Sequence, residues 1–310
     1  MHAPRMNRRL FLVGSTTAAL AAACGQSDNE TQGDDGNAGT TGATAQDDLR
    51  FLQAQFADGF RAPTTLAAGG VERAVFGVLD GDGLPVVSGA PEQLEGSLSL
   101  PDGQVVELTL PKRDAGLAAP HYPLLFEASS PGVYELSATV GGQAHQLQFI
   151  VADPVDVPLV RVGEPLRSVD TPTLDDARGV EPICTRFEPC PFHELNLADG
   201  VAHGRPTALR IATPGFCQTV ACGPVVDLLI DLDPSADMDV VHAEVYTDPD
   251  QLDELGVVPE LLTPTIDAYG MAFEPSLVVA DAAGVVTARI DYAFDRDEIA
   301  AALATATGVS

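Results

Sequence analysis

Two cysteines, Cys217 and Cys222, are separated by four residues between a strand pattern and a helical pattern. Arg205–Thr213 reads as a buried strand, and Val225, Val226, Leu228, Leu229 and Leu232 recur at helical spacing just after Pro224. A cysteine at such a junction lies near the free amides and the positive dipole end of the helix, both of which stabilise a thiolate. Thiol–disulfide exchange needs that thiolate, a second thiol to resolve the mixed disulfide, and access for a partner. The same two residues joined as a structural disulfide would be inert. Proline is tolerated in the first turn of a helix but not deeper, so Pro224 starts this helix at about Cys222.

The elements around the pair are a second strand over Met238–Tyr246, a hairpin of Ser276–Ala280 and Val285–Ile290 turning at Asp281–Gly284, and a last helix. Asp295 caps that helix, with Glu298 at the capping-box position and Ile299, Ala302 and Leu303 on its apolar face. The order is β-α-β, then a hairpin and a helix. Upstream, from about Leu49 to Ala152, short apolar runs alternate with Gly and Pro. Expected strands are Ala74–Leu79, Leu84–Val87, Gln104–Leu110, Pro123–Phe126, Val133–Val140 and His145–Val151. Tyr134, Leu136, Ala138 and Val140 share one face of their strand, and Gly141-Gly142 then predicts a hairpin. Several short strands with turn signals predict a β-sandwich.

The 310 residues carry 16 Lys plus Arg against 45 Asp plus Glu, a formal charge of −29. No basic stripe can release counterions from phosphates, so nucleic acid is excluded as a partner. Arg5, Arg8 and Arg9 followed by the apolar and small-residue run Leu10–Ala23 form an export signal, too short to span a bilayer. Asn7-Arg8-Arg9-Leu10-Phe11-Leu12 resembles a twin-arginine signal, and Ala21-Ala22-Ala23-Cys24 resembles a bacterial lipobox. That resemblance implies a diacylglyceryl group on Cys24 and a lipid anchor to the outer side of the cell membrane. Removal of residues 1–23 leaves 13 basic and 45 acidic residues, a charge of −32. Gly25–Asp48 has no Val, Ile, Leu, Met or aromatic residue and is expected to be a flexible acidic tether. The expected organisation is a signal peptide over 1–23, a tether over 24–48, a β-sandwich over 49–152, a proline-rich linker over 153–181 and an α/β domain over 182–310.

Residues from about 160 onward resemble the thioredoxin-like fold. The likeness rests on Phe216-Cys217, Cys222-Gly223-Pro224, Tyr269-Gly270-Met271, Glu274-Pro275-Ser276 and the Asp281–Gly284 turn. It implies that the Glu274–Pro275 peptide is cis and faces the redox pair, and that Glu274 could move protons as a base. The spacing departs from the family, whose cysteines are two residues apart. Cys217 after Phe216 is read as the attacking thiol and Cys222 as the resolving one; the alternative alignment makes Cys222 the helix-start thiol and Cys217 its partner. Gly215 occupies the place where a peroxiredoxin has proline, which argues against peroxidase chemistry. Pro131-Gly132-Val133-Tyr134-Glu135-Leu136 is similar to a late strand of immunoglobulin-like domains, so the whole is expected to be an all-β immunoglobulin-like sandwich followed by an α/β thioredoxin-like domain.

With Cys24 assigned to lipid, four cysteines remain in an oxidising compartment, and two pairs are expected. Cys184 and Cys190 are expected to close a small disulfide loop; a relay dithiol, or a metal site that adds His193, are the other readings. His193 is expected at the surface, His203 as an incidental residue of a Gly-rich turn, and His121 and His145 as isolated surface or strand residues. His242 is expected to be a half-buried strand residue. Copper chaperones of the Sco type place two cysteines and a distant histidine on a thioredoxin-like fold, so Cys217, Cys222 and His242 form an alternative copper set. The favoured function is a membrane-anchored, extracytoplasmic thiol–disulfide oxidoreductase acting on exported proteins with thiols or disulfides, without a bound cofactor. The alternatives are the copper-binding assembly factor and a non-catalytic interaction protein.

Overall fold

The computed structural model describes residues 50–54, 65–215 and 222–308. The export segment, Cys24, the tether, Phe216 and Cys217 lie outside the described residues. The described residues fall in one compact unit. No helix among them is long and apolar enough to cross a membrane.

Among the described residues eight strands come first: β1 (Arg50–Ala54), β2 (Leu66–Ala67), β3 (Gly70–Asp80), β4 (Gln93–Ser99), β5 (Val105–Pro111), β6 (Tyr122–Ala128), β7 (Gly132–Val140) and β8 (Gln143–Ala152). They form a three-stranded sheet, β1-β3-β6, and a five-stranded sheet, β2-β8-β7-β4-β5. The inner faces of both sheets share one core, in which Phe76 and Phe126 meet Tyr134, Leu136 and Phe149. Phe126 and Phe149 pack edge to face at 5.6 Å, and Tyr134 stacks on Phe149 at 5.8 Å. The alternation in β7 buries Tyr134, Leu136, Ala138 and Val140 as expected. Leu84–Val87 does not form the expected strand: Asp80 accepts the amides of Asp82 and Leu84 in a turn, leaving only a bridge from Leu79 to Pro85. β1, β2 and β4 were not expected. In β4 only Leu94 and Leu98 are buried apolar residues, too sparse to announce a strand. Gly96 lets β4 approach β7, because a Cβ there would lie 2.2 Å from the Ser137 carbonyl oxygen.

After a short 3-10 turn at Pro154–Asp156, the chain runs to Asn196 without helix or strand. It is nevertheless packed: Val157, Leu159, Val160 and Leu166 are buried, and Leu166 donates its N–H to the Gly284 carbonyl at 2.8 Å. Then follow α1 (Leu197–His203), β9 (Thr207–Ile211), α2 (Cys222–Leu232), β10 (Asp239–Ala243), α3 (Leu252–Leu255), α4 (Pro264–Tyr269), β11 (Ser276–Ala280), β12 (Val286–Asp291) and α5 (Arg296–Thr307). The expected order is present, with α1, α3 and α4 as additions. The strands form a sheet ordered β10-β9-β11-β12, in which β9 and β10 are parallel and β11 is antiparallel to both its neighbours.

Every residue of β9, β10 and β11 is buried, which requires cover on both faces. Leu209, Ile211, Val241 and Val278 pack with Ile266 and Tyr269 of α4. Ala208, Val240, Leu277 and Val279 pack with Val225, Val226 and Leu229 of α2 and Ile299 and Leu303 of α5. Asp295 and Glu298 form the expected capping box on α5, and Gly308 ends that helix at φ 68°. The same cap fastens the β-rich half, since Asp295 accepts the Ala115 amide at 3.1 Å and Glu298 pairs with Arg73 and His121.

Candidate functional site

The loop from Thr213 leaves the sheet at the C-terminal end of β9 and re-enters regular structure when Cys222 opens α2. Pro224 stands third in that helix, where its missing N–H would have had no intrahelical acceptor. The neighbouring strand begins at the same edge, because Ser276 pairs with Ile211. The Glu274–Pro275 peptide just before it is cis, as the thioredoxin resemblance implied. Glu274 accepts the Thr213 amide through Oε2, which ties the cis-proline turn to the start of the cysteine loop. Pro275 and the opening of α2 are thus brought to one end of the sheet. Cys217 lies outside the described residues.

Cys184 and Cys190 do not form the expected disulfide. Both are free and buried, with their Sγ atoms 4.0 Å apart, about twice a disulfide bond length. The reason is what surrounds them. His242 directs Nδ1 at Cys190 Sγ from 3.2 Å and at Cys184 Sγ from 4.0 Å. His193 brings Nε2 within 3.2 Å of the same Nδ1. Each histidine is only 1% exposed, so neither the surface position expected for His193 nor the half-buried one expected for His242 holds. Of the alternative copper set, Cys217 and the Cys222 side chain lie outside the described residues, and His242 faces Cys184, Cys190 and His193.

Local structure accounts for the gathering. β10 is an edge strand, and its His242 amide donates to the Phe192 carbonyl at 2.9 Å, so residues 190–193 cover that edge. Phe192 is buried with Cys184 and Cys190 against the α2 side of the sheet. On the far side of the ring, His242 Nε2 lies 3.0 Å from the Ala212 carbonyl oxygen. A carbonyl only accepts, so Nε2 carries the hydrogen and Nδ1 presents its lone pair to the sulfurs. Burial lowers the His242 pKa and keeps the ring neutral. Within the thiol pair, the hydrogen bond from Cys190 holds the Cys184 thiol well below its usual range, against the opposing effect of burial. Cys190 is pushed up, by the same bond and by burial, and keeps the proton.

Glu244, two residues beyond His242, was not singled out from the sequence. Its carboxyl accepts the Thr185 amide at 2.7 Å and the Thr185 hydroxyl at 3.0 Å. Burial pushes its pKa up to about 8, the Thr185 bonds oppose this, and the Cys184 and Glu274 charges add to it. Thr185 Oγ1 in turn accepts the Gly215 amide at 2.9 Å. The segment bearing Cys184 is therefore hydrogen-bonded to the loop that leads to Cys217. A shallow cleft of about 320 Å³ between Thr185–Glu188, Pro214, Gly223 and Asp227 opens beside this contact. A larger one of about 840 Å³, between Gly70–Arg73, Arg161–Glu164 and Ala288–Asp291, has no cysteine in its lining.

Of the other histidines, His145 falls in strand β8, one of the two places expected for it, whereas His121 is neither isolated nor at the surface. His121 is buried and lies 2.6 Å from Glu298, and His203 lies 2.8 Å from the buried Asp239. His145 packs edge-on against Phe51 at 6.1 Å. The Cys190-x2-His193 spacing was a legible signal for a shared site; His242, 49 residues later, was not.

A solved thiol:disulfide interchange protein, a thioredoxin family protein from Chlorobium tepidum TLS, is similar over 48% of this chain and 99% of its own. The two share 15% identity, and the TM-score is 0.31. No family model and no curated protein matches the chain.

Proposed function

We propose that this protein is a thiol–disulfide oxidoreductase whose thioredoxin-like C-terminal half carries Cys217 and Cys222 as its redox pair. The observation that supports this best is the meeting of three features at one sheet end: the opening of α2 at Cys222, the cis Glu274–Pro275 peptide, and the Glu274–Thr213 hydrogen bond that joins them. A helix start supplies amides and dipole to stabilise a thiolate, and the adjacent turn offers backbone to a partner segment.

In the reducing direction, the Cys217 thiolate attacks one sulfur of a client disulfide and displaces the other as a client thiolate. Cys222, losing its proton, then attacks Cys217 Sγ and releases the second client thiol. The client disulfide has gained two electrons and two protons, and Cys217–Cys222 has become the disulfide. The oxidising direction is the reverse. We read the eight-stranded half as an immunoglobulin-like sandwich that docks against α5, and residues 1–48 as a twin-arginine export signal, lipid-bearing Cys24 and tether that hold the enzyme outside the cell membrane. Its clients would then be exported proteins.

Insulin reduction by the full chain with a dithiol donor tests the assignment. Cys217→Ser is expected to fall to the uncatalysed rate, and Cys222→Ser to accumulate a mixed disulfide. Equal rates in the unsubstituted chain and Cys217→Ser would sink it.

A further inference from the structure

We infer that Cys184, Cys190, His193 and His242 form a closed, four-ligand structural site for Zn2+. The four donor atoms all lie within 4.8 Å of one another, and all four residues are buried. The spacing can be set against zinc stereochemistry. Zinc–sulfur bonds of about 2.3 Å and zinc–nitrogen bonds of about 2.0–2.1 Å give tetrahedral edges of about 3.8 Å between sulfurs and about 3.3 Å between nitrogens. The observed edges are 4.0 Å between the sulfurs and 3.2 Å between the imidazole nitrogens. The two edges from His242 Nδ1 to the sulfurs, 3.2 and 4.0 Å, bracket the mixed value of about 3.5 Å. The His193 side is the more open one, since separations within the set reach 4.8 Å, and His193 must close in by about an ångström to complete a tetrahedron.

The surroundings point the same way. The Ala212 carbonyl fixes the His242 tautomer that leaves Nδ1 bare, which is how a ligating imidazole is oriented by an outer partner. A disulfide would have no use for two histidine nitrogens converging on its sulfurs. Two thiolates and two neutral imidazoles leave a divalent ion with no net charge, which suits a buried position, and an S2N2 tetrahedron selects zinc among common cations. No donor is exposed for an open coordination position, so the role is structural.

What the ion would hold is evident in the fold. From Val157 to Asn196 the chain has no helix or strand, an unusual length inside a compact unit. Cys184, Cys190 and His193 lie on that segment and His242 on edge strand β10. One ion would pin the segment to the sheet beneath the loop that leads to Cys217. The site stands independently of the redox assignment.

The test is a titration of the reduced, chelator-stripped full chain, with Cys217→Ser/Cys222→Ser as background to silence the other pair. Cobalt(II) is expected to bind at one equivalent with intense tetrahedral d–d absorption in the red and a thiolate charge-transfer band in the near ultraviolet, and zinc to displace it. Cys190→Ser and His242→Gln are expected to weaken zinc binding by at least ~100-fold, the upper end of what loss of an outer-shell partner costs. Absence of the tetrahedral spectrum at one equivalent overturns the site, as does an undiminished spectrum in Cys184→Ser and Cys190→Ser. If those variants do not fold, the titration of the background chain decides alone, and His193→Gln supplies the ligand assignment.

Discussion

His121 Nε2 and Glu298 Oε2 lie 2.6 Å apart, although 177 residues separate them in the chain. The contact joins the β-rich half to the first turn of the last helix. Arg73 reaches the other oxygen, with Nη2 at 2.8 Å and Nε at 3.0 Å. Glu298 also accepts the Asp295 amide at 3.1 Å, so one carboxylate closes a helix cap and a junction between two cores. Burial alone would raise its pKa, but the His121 hydrogen bond, the Arg73 and His121 charges and the Asp295 amide outweigh it and bring the value to about 2.

This carboxylate predicts an acid-sensitive junction. A group whose folded pKa is depressed stabilises the fold above its unfolded value and loses that contribution as pH falls through the folded one. For Glu298 the window runs from 4.5 down to about 2. The shift corresponds to stability on the order of 3 kcal/mol. Urea unfolding across the window is expected to show a steep loss in the unsubstituted chain and a flatter curve in Glu298→Gln. Parallel curves would contradict the assignment.

A second prediction concerns Gly96, where an added Cβ would meet the Ser137 carbonyl oxygen at 2.2 Å. Backbone cannot swing aside like a long side chain, so Gly96→Ala must separate β4 from β7. Overpacking of this kind costs roughly 1–3 kcal/mol. A lower urea midpoint with an unchanged slope is expected. An unchanged midpoint would mean that the two strands do not approach so closely.

Glu274 can act as a base or as an anchor, and the two roles separate by substitution. Its carboxylate accepts the Thr213 amide. Glutamine keeps an acceptor there and loses only the titration, whereas alanine loses both. As an anchor, Glu274→Gln should keep most of the insulin-reduction rate and Glu274→Ala should lose about tenfold, the equivalent of one hydrogen bond to a charged group. Equal losses in both variants, with a changed pH–rate profile, would establish proton transfer instead.

The parts legible in the sequence were those with local causes. β11 occupies the expected Ser276–Ala280, and the Asp295–Glu298 box begins α5, because an apolar run between turn residues and a cap spaced by three are short-range signals. β4 escaped because its burial rests on two leucines and on a glycine whose value lies in another strand. The Cys184–Cys190 pair was visible, but its chemistry was not. A cysteine pair without two-residue spacing, read as part of an exported chain, suggests a disulfide, and only the fold brings His193 and His242 to it. His121 and Glu298 illustrate the same limit, as each belongs to a different half of the molecule.

Thr185 couples the two cysteine regions, and it carries the last prediction. Its Oγ1 accepts the Gly215 amide at 2.9 Å while its hydroxyl hydrogen goes to the Glu244 carboxyl at 3.0 Å. Thr185→Val keeps the shape and removes both bonds, leaving a buried carboxyl with the Thr185 amide as its remaining bond to that residue. An unsatisfied buried polar group costs about 1–3 kcal/mol, so a loss of that size is expected in urea unfolding. Because Gly215 begins the approach to Cys217, the variant should also slow insulin reduction, and Thr185→Ser, which keeps the hydroxyl, should recover both properties. Recovery of stability without recovery of rate would show that the Gly215 contact does not position the redox loop. Failure of serine to recover stability would place the role of Thr185 in its methyl group.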